Sequence, residues 1–393
     1  MIMQTDIRYL LWSAAALFLS YLAVAMPLPL ISTFVIREWA LSAGLGGLAV
    51  GIPFVSTILA RGYAGRFSDR RGGKACMTRG LSIYILASAF CAMAVGLDFP
   101  SPGPAYALLL AGRLLLGLGE SLVLVGMLSW NISLLGAHRS GIVFSTVGMI
   151  IYGAIAAGAP LGFMLTERAG FAVLMLLCLP LPLLGLGMIR TMPSPLTLPG
   201  HNKKESFLRM LGTVWRQGAV VGFQGVGFAA LGAFIVLYFA SKGWPHAGFG
   251  MTCFGLGFVL VRLGCGHLPD RFGGKKVALI SLTVEACGQF LLWQAWSYEA
   301  ALTGAFFTGA GCSMVYPSMG VEVIRRVSPE LRGTAIGGFS VFQDIAYAAT
   351  APLAGICADH LGYGVVFILG LTAALLGLLT AFTLGTVKMK TGP

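Results

Sequence analysis

Four ionisable residues, Arg113, Glu120, Glu285 and Asp344, lie deep inside long apolar runs of this sequence. In a hydrocarbon layer an ionised side chain costs roughly 2.5–3.5 kcal/mol even on insertion scales, so it is retained for a partner or for a task. A carboxyl group in such a place can take up and release a proton, and a guanidinium can hold an anion or bond backbone carbonyls. Arg113 and Glu120 are seven positions apart, which puts them on one helical face about 10 Å apart along the axis. That is too far for a tight pair, so each needs a partner on another helix. For Arg113, bonding to neighbouring carbonyls and a part in proton coupling or substrate-charge recognition are both open. For Glu120 the alternatives are proton carriage and service as a fixed counter-ion. Asp344, midway along its apolar run, is a protonation candidate; Glu285 is another, with packing or hydrogen bonding as its alternative.

The elements that position these residues follow from composition. Hydrophobic residues make up 57% of the 393-residue chain and charged residues 10%, and mean hydropathy is +0.86. A soluble domain carries about 25% charged residues, so too few are present here to cover a water-facing surface. Apolar runs of about 20 residues match a hydrocarbon core of about 30 Å. Twelve are expected, near 9–35, 42–63, 75–97, 104–130, 141–166, 171–190, 217–241, 247–268, 277–297, 300–324, 333–357 and 363–386. The net charge of +12 is a topology signal. Of the 26 Lys and Arg residues, 22 fall at the N-terminus, in or beside the even-to-odd connections, or at the C-terminus. The opposite connections hold only Arg37, Arg168 and Lys242. This asymmetry predicts both termini in the cytoplasm and argues against a nucleic-acid footprint. Arg8 and Ala23-Val24-Ala25 mimic a cleavable signal, but the apolar run continues to Val35, so an uncleaved first span is expected. The eight cysteines form no C-x-x-C and the five histidines show no metal spacing, so neither disulfides nor metal is expected.

The chain is duplicated. Leu59 to Lys74 reads LARGYAGRFSDRRGGK and Leu260 to Lys275 reads LVRLGCGHLPDRFGGK, offset by 201 positions. An offset of 192 aligns Gly112, Gly117, Gly119 and Gly141 with Gly304, Gly309, Gly311 and Gly333, and Ala159-Pro160-Leu161 with Ala351-Pro352-Leu353. Two six-helix halves are therefore predicted, at 1–190 and 217–393. Between them, 191–216 holds three prolines and then charge, with Phe207 to Trp215 at the spacing of a short interfacial helix. Repeated helical halves are the architecture of secondary transporters. Span 5 is rich in small residues around Pro160, with Gly158 and Gly162 beside it. Together with Pro352 these are candidate hinges. No P-loop is present, so ATP is not the expected driver.

Over nearly its whole length the sequence resembles the major facilitator superfamily. Gly65, Asp69, Arg70, Gly72, Gly73 and Lys74 match that superfamily's loop 2–3 signature, and Gly266, Asp270, Arg271, Gly273, Gly274 and Lys275 match its loop 8–9 echo. Arg113, Gly117 and Gly119 resemble its span-4 signature; Gly158, Pro160 and Gly162 resemble a loosened antiporter signature interrupted by Ala159. GRLLLGLGES, YGAIAAGAPLG and PDRFGGKK are similar to a bacterial exporter group of the YfcJ and YhhS type. The resemblance implies an all-α membrane protein of twelve helices in two pseudo-symmetric bundles, working without a cofactor on a proton gradient. It implies a latch at the cytoplasmic face in which Asp69 and Asp270 meet the starts of span 11 (Arg332, Gly333) and span 5 (Arg139, Gly141). It implies a central cavity lined by spans 1, 4, 7 and 10, which carry Tyr21, Asn131, Gln224, Phe228, Tyr238 and Tyr316. One carboxylate among aromatics and Gln suits an amphipathic or cationic molecule better than a bare anion. The expected function is proton-coupled antiport exporting a small organic molecule from a bacterial inner membrane, by a monomer whose partners are substrate, protons and lipid. Proton symport for uptake is one alternative, and a non-transporting receptor or scaffold is another. No enzyme is expected, because the loops hold no catalytic constellation.

Overall fold

A computed structural model describes residues 2–135, 140–194, 207–327 and 332–384. They are helical almost throughout, with no strand among them. Apolar character continuous around each helix leaves burial against other helices or lipid as the only stable placement. Among the described residues, twelve segments cross the fold. Span 1 is Ile2–Ala25 continued by Leu28–Arg37, span 2 is Ala43–Arg71, span 3 Gly73–Gly96 and span 4 Pro102–Leu135. Span 5 is Ser140–Ala169, and span 6 is Phe171–Leu177 continued by Pro180–Arg190. Span 7 is Phe207–Ser241, span 8 Gly248–Cys265, span 9 Gly274–Trp293, span 10 Tyr298–Ile324, span 11 Arg332–Leu361 and span 12 Val365–Phe382. All but span 10 are long and apolar enough to cross a membrane by composition alone. Span 10, at 27 residues, is packed along spans 8 and 9. The breaks in spans 1 and 6 fall at Pro27 and Pro180, where the ring removes a helical N–H.

One expectation is corrected. The segment from Phe207 is no separate interfacial helix but the first turns of span 7, because no proline interrupts the 35 residues to Ser241. The loop 2–3 signature is largely helical and turns at one glycine. Span 2 runs on through Asp69 and Arg70 to Arg71, and Gly72 alone joins it to span 3. Gly72 has φ 88° and Gly273 likewise φ 88°, a conformation open to glycine at no steric cost. The second copy differs, because Pro269 replaces Ser68 and starts a short helix, Leu268–Phe272, after span 8 has ended.

Duplication is visible in the packing. Glycines on spans 3 and 4 let those helices touch: a methyl group on Gly80 would lie 2.7 Å from the Val123 nitrogen. Gly117 meets the Pro53 carbonyl as Gly309 meets that of Phe254, and Gly119 abuts the Tyr84 ring as Gly311 abuts Glu285. Lys74 donates to the carbonyls of Arg190 (2.9 Å) and Met192 at the end of span 6; Lys275 does the same to Phe382 (2.6 Å) and Leu384 after span 12. The halves meet along spans 2 and 11, spans 5 and 8, and spans 1 and 7. They close at the end remote from the signature turns. There Gly47 and Gly51 sit on the Ala351 and Ala348 carbonyls, Gly255 on Ala156, and the Ser32 hydroxyl donates to the Ala233 carbonyl.

Candidate functional site

Between the halves lies a cavity of about 700 Å³. Its wall runs from Ala351, where spans 2 and 11 close, to Gly266, Pro269 and Gly320 at the end bearing the signature turns. The cavity is thus closed at one end of the molecule and lined out to the other.

Arg113 lines it from span 4, and local chemistry explains its position. Pro53 has no N–H, so the carbonyl four residues earlier, on Ala49, lacks its helical donor. Arg113 Nε donates to that oxygen at 2.9 Å, and its Nη2 to the Val50 carbonyl at 3.2 Å. At the aligned positions of the other half stand Phe254 and Ala305, so proline and arginine are missing together. Glu120, seven residues further along the same face of span 4, accepts a hydrogen bond from the Tyr21 hydroxyl at 2.8 Å.

Asp344 lies on span 11 where the halves meet. Its Oδ2 is 2.6 Å from Nε of Arg61 on span 2, an ion pair across the interface. Sequence reasoning missed Arg61, counting it with the basic residues beside the even-to-odd connections. Its second copy, Arg262 on span 8, was missed in the same way and also lines the cavity. The recurrence of both arginines at matching positions was the available signal. Asp359 was missed too: at the closed end it accepts from the Ala43 and Gly44 amides at 2.8 and 3.1 Å, tying span 11 to the start of span 2.

Of the expected cavity residues, Tyr21, Gln224, Phe228 and Tyr316 line it. Gln224 accepts from the Gln343 amide (3.3 Å) and the Tyr316 hydroxyl bonds Ser340 (2.6 Å). Asn131 does not line it; it is buried between spans 4 and 1, bonded to Ser13 and the Met127 carbonyl. Tyr238 does not either, since its hydroxyl donates to the Leu292 carbonyl at 2.7 Å, near the closed end. Glu285 is fully buried behind the wall, beside the Cys312 thiol. Cys312 aligns with Glu120 and Glu285 with Tyr84, so each half has one acid at the same helix contact, on opposite helices.

Among the hinge candidates, Gly158 and Gly162 face their own half. A methyl group on Gly158 would lie 2.7 Å from the Ala25 methyl, and Gly162 meets the Met26 carbonyl. Pro160 and Pro352 lie instead at contacts between halves, against Gly248 and Gly51. Of the latch residues, a methyl group on Gly65 would meet no other described residue within 4 Å and one on Gly266 only the Arg262 carbonyl, and Arg70 and Arg271 are exposed. The Asp69, Asp270 and Arg332 side chains, and Arg139, lie outside the described residues.

With this geometry in place, similarity to known proteins is decisive. The sequence matches the Major Facilitator Superfamily over residues 13–250 and 223–392. The chain belongs to that superfamily. An uncharacterised transporter of this superfamily from Salmonella typhimurium is 45% identical, over 93% of both chains. The xylose transporter XylE of E. coli, in an inward-open conformation, superposes with TM-score 0.77 at 15% identity, covering 98% of each chain. The human organic anion transporter MFSD10 gives TM-score 0.72 at 17% identity, over 96% of this chain and 99% of that one. The chain is therefore a multi-pass membrane transporter of the major facilitator fold and not an enzyme. Transporters of this superfamily typically need no cofactor and often couple transport to an ion gradient.

Chemically, the superfamily cavity here combines two carboxylates, three guanidiniums and an aromatic wall. Tyr152 stacks on Phe258 with centroids 3.5 Å apart, and Phe228 packs edge-on to Tyr347 at 5.2 Å. It can bind an apolar body and a charged or hydrogen-bonding group at once.

Proposed function

We propose that the protein is a proton-coupled secondary transporter that carries a small amphipathic organic molecule across a bacterial inner membrane by alternating access. One observation carries this: Asp344, a group able to accept a proton, forms the ion pair with Arg61 that joins the two halves inside the cavity. Protonating Asp344 removes the charge that holds Arg61, so proton binding and the contact between bundles become one event. Glu120, held by Tyr21, is the second proton carrier. Glu285 belongs to the buried frame behind it. The halves, 1–190 and 217–393, rock as units within a monomer, with the interfacial prolines Pro160 and Pro352 at their hinges. The signature residues Gly65, Asp69, Arg70, Gly72, Gly266, Asp270, Arg271 and Gly273 latch the mouth when it closes. With both termini cytoplasmic, as the charge asymmetry requires, that mouth faces the cytoplasm.

Exchange of an external proton for an internal organic molecule is the mode supported by the exporter-like text. Symport is a second reading, favoured by the excess of guanidiniums over carboxylates in the wall, which suits an anion accompanied by protons. Everted vesicles distinguish them, once a thermal-shift screen of metabolites and drugs has found a stabilising compound. Accumulation of that compound with protons leaking outward supports antiport; joint exit supports symport. Absence of movement, with a soluble partner copurifying, would refute transport and support a receptor.

A further inference from the structure

The pseudo-symmetric contacts between halves carry unequal charge. At the contact of spans 2 and 11, Arg61 is neutralised by Asp344. At the equivalent contact of spans 8 and 5, the arginine is Arg262 and the position aligned with Asp344 is Tyr152. Arg262 forms no ion pair among the described residues, and its buried Nε has no hydrogen-bond partner among them. Its guanidinium lies over the Phe258 ring, 5.1 Å from the centroid, and that ring is stacked on Tyr152. Gly148 lies beside it on span 5: a methyl group there would stand 4.0 Å from Nη2, in ordinary contact.

We infer that Arg262 is the recognition site for the anionic head of the transported molecule, an organic carboxylate with an apolar, ring-bearing body. Arg262 is half-buried, and a guanidinium whose Nε is buried without a counter-ion is costly; a planar carboxylate matches its fork of donors. The substrate supplies at Arg262 the charge that Asp344 supplies at Arg61. The adjoining rings of Tyr152, Phe258 and Phe228 hold the body. This reverses the preference expected from sequence, which counted one carboxylate and neither duplicated arginine. It deepens the carrier reading and rests on it for the cavity being the transport site.

The test is equilibrium binding to purified full-length protein of 2-naphthoate and its neutral isostere 2-naphthamide. Wild type is expected to bind the carboxylate at least about tenfold more tightly than the amide. Arg262→Gln should bring the two within about twofold, and Arg262→Lys should keep part of the preference. Tyr152→Glu supplies the missing acid internally and should likewise abolish the preference, giving a second route if Arg262→Gln does not elute monodisperse. Equal affinities in wild type, no saturable carboxylate binding, or a preference surviving in either Arg262→Gln or Tyr152→Glu would overturn the inference. Failure of the carrier reading looks different: the Arg262-dependent preference persists while no compound is moved by a proton gradient.

Discussion

Pro53 cannot offer an N–H to the Ala49 carbonyl, and the donor that replaces it comes from Arg113 on another helix. Truncation at Arg113 leaves that oxygen buried and unpaired, at a cost of about 1–3 kcal/mol. Arg113→Ala should therefore lower the melting temperature in detergent, and the loss should shrink in a Pro53→Ala background, where residue 53 supplies its own amide. Strictly additive effects in that double-mutant cycle would contradict the assignment. At this scale the sequence was informative about chemistry and silent about direction. Buried Arg113, Glu120 and Asp344 stood out by their cost in hydrocarbon, and all three line the cavity. Asn131 and Tyr238 lie on cavity-lining helices but face their neighbours, a rotation that residue type does not encode. Pro53 with a nearby buried arginine was a readable sign of the carbonyl bond, because a missing N–H always orphans an oxygen.

At the scale of elements, the signature segments do more than turn the chain. Lys74 and Lys275 bond within their own halves, closing the carbonyl ends of spans 6 and 12. They fasten each bundle rather than joining the two. Lys275→Met should cost about 1 kcal/mol through the lost cap, read as a fall in thermal stability; an unchanged melting temperature would count against it. Asp359 works between halves, at the end opposite the signatures. Asp359→Asn weakens the charge held by the span 2 amide end, so molecules open at that end should become more populated. Spin labels at the exposed residues Asp98 and Glu299, with native cysteines replaced, should report longer distances in the variant; an unaltered distribution would refute that role. These contacts were hidden in the sequence because span 2 continues as helix to Arg71, past the end expected near residue 63. Arg61 was consequently counted with the surface charges that set topology, although it reaches a buried acid 283 residues away.

For the whole molecule, duplication was legible from repeated text, and it fixes both the closed end and the cavity. What the repeats could not disclose is how the halves diverged. One interface keeps a charge pair and the other an arginine beside a phenol; one half places its acid on span 4, the other on span 9. In the proposed function, two bundles sharing a cavity this asymmetric tie proton binding to motion through the acids at Glu120 and Asp344. The most direct measurement compares proteoliposomes holding wild type or the Glu120→Gln/Asp344→Asn double variant, supplied with the compound found by thermal shift. Wild type is expected to drive that compound against its gradient when a pH difference is imposed. The double variant should lose gradient-driven transport while retaining passive counterflow. Wild-type accumulation by the double variant under the same pH difference would contradict the account.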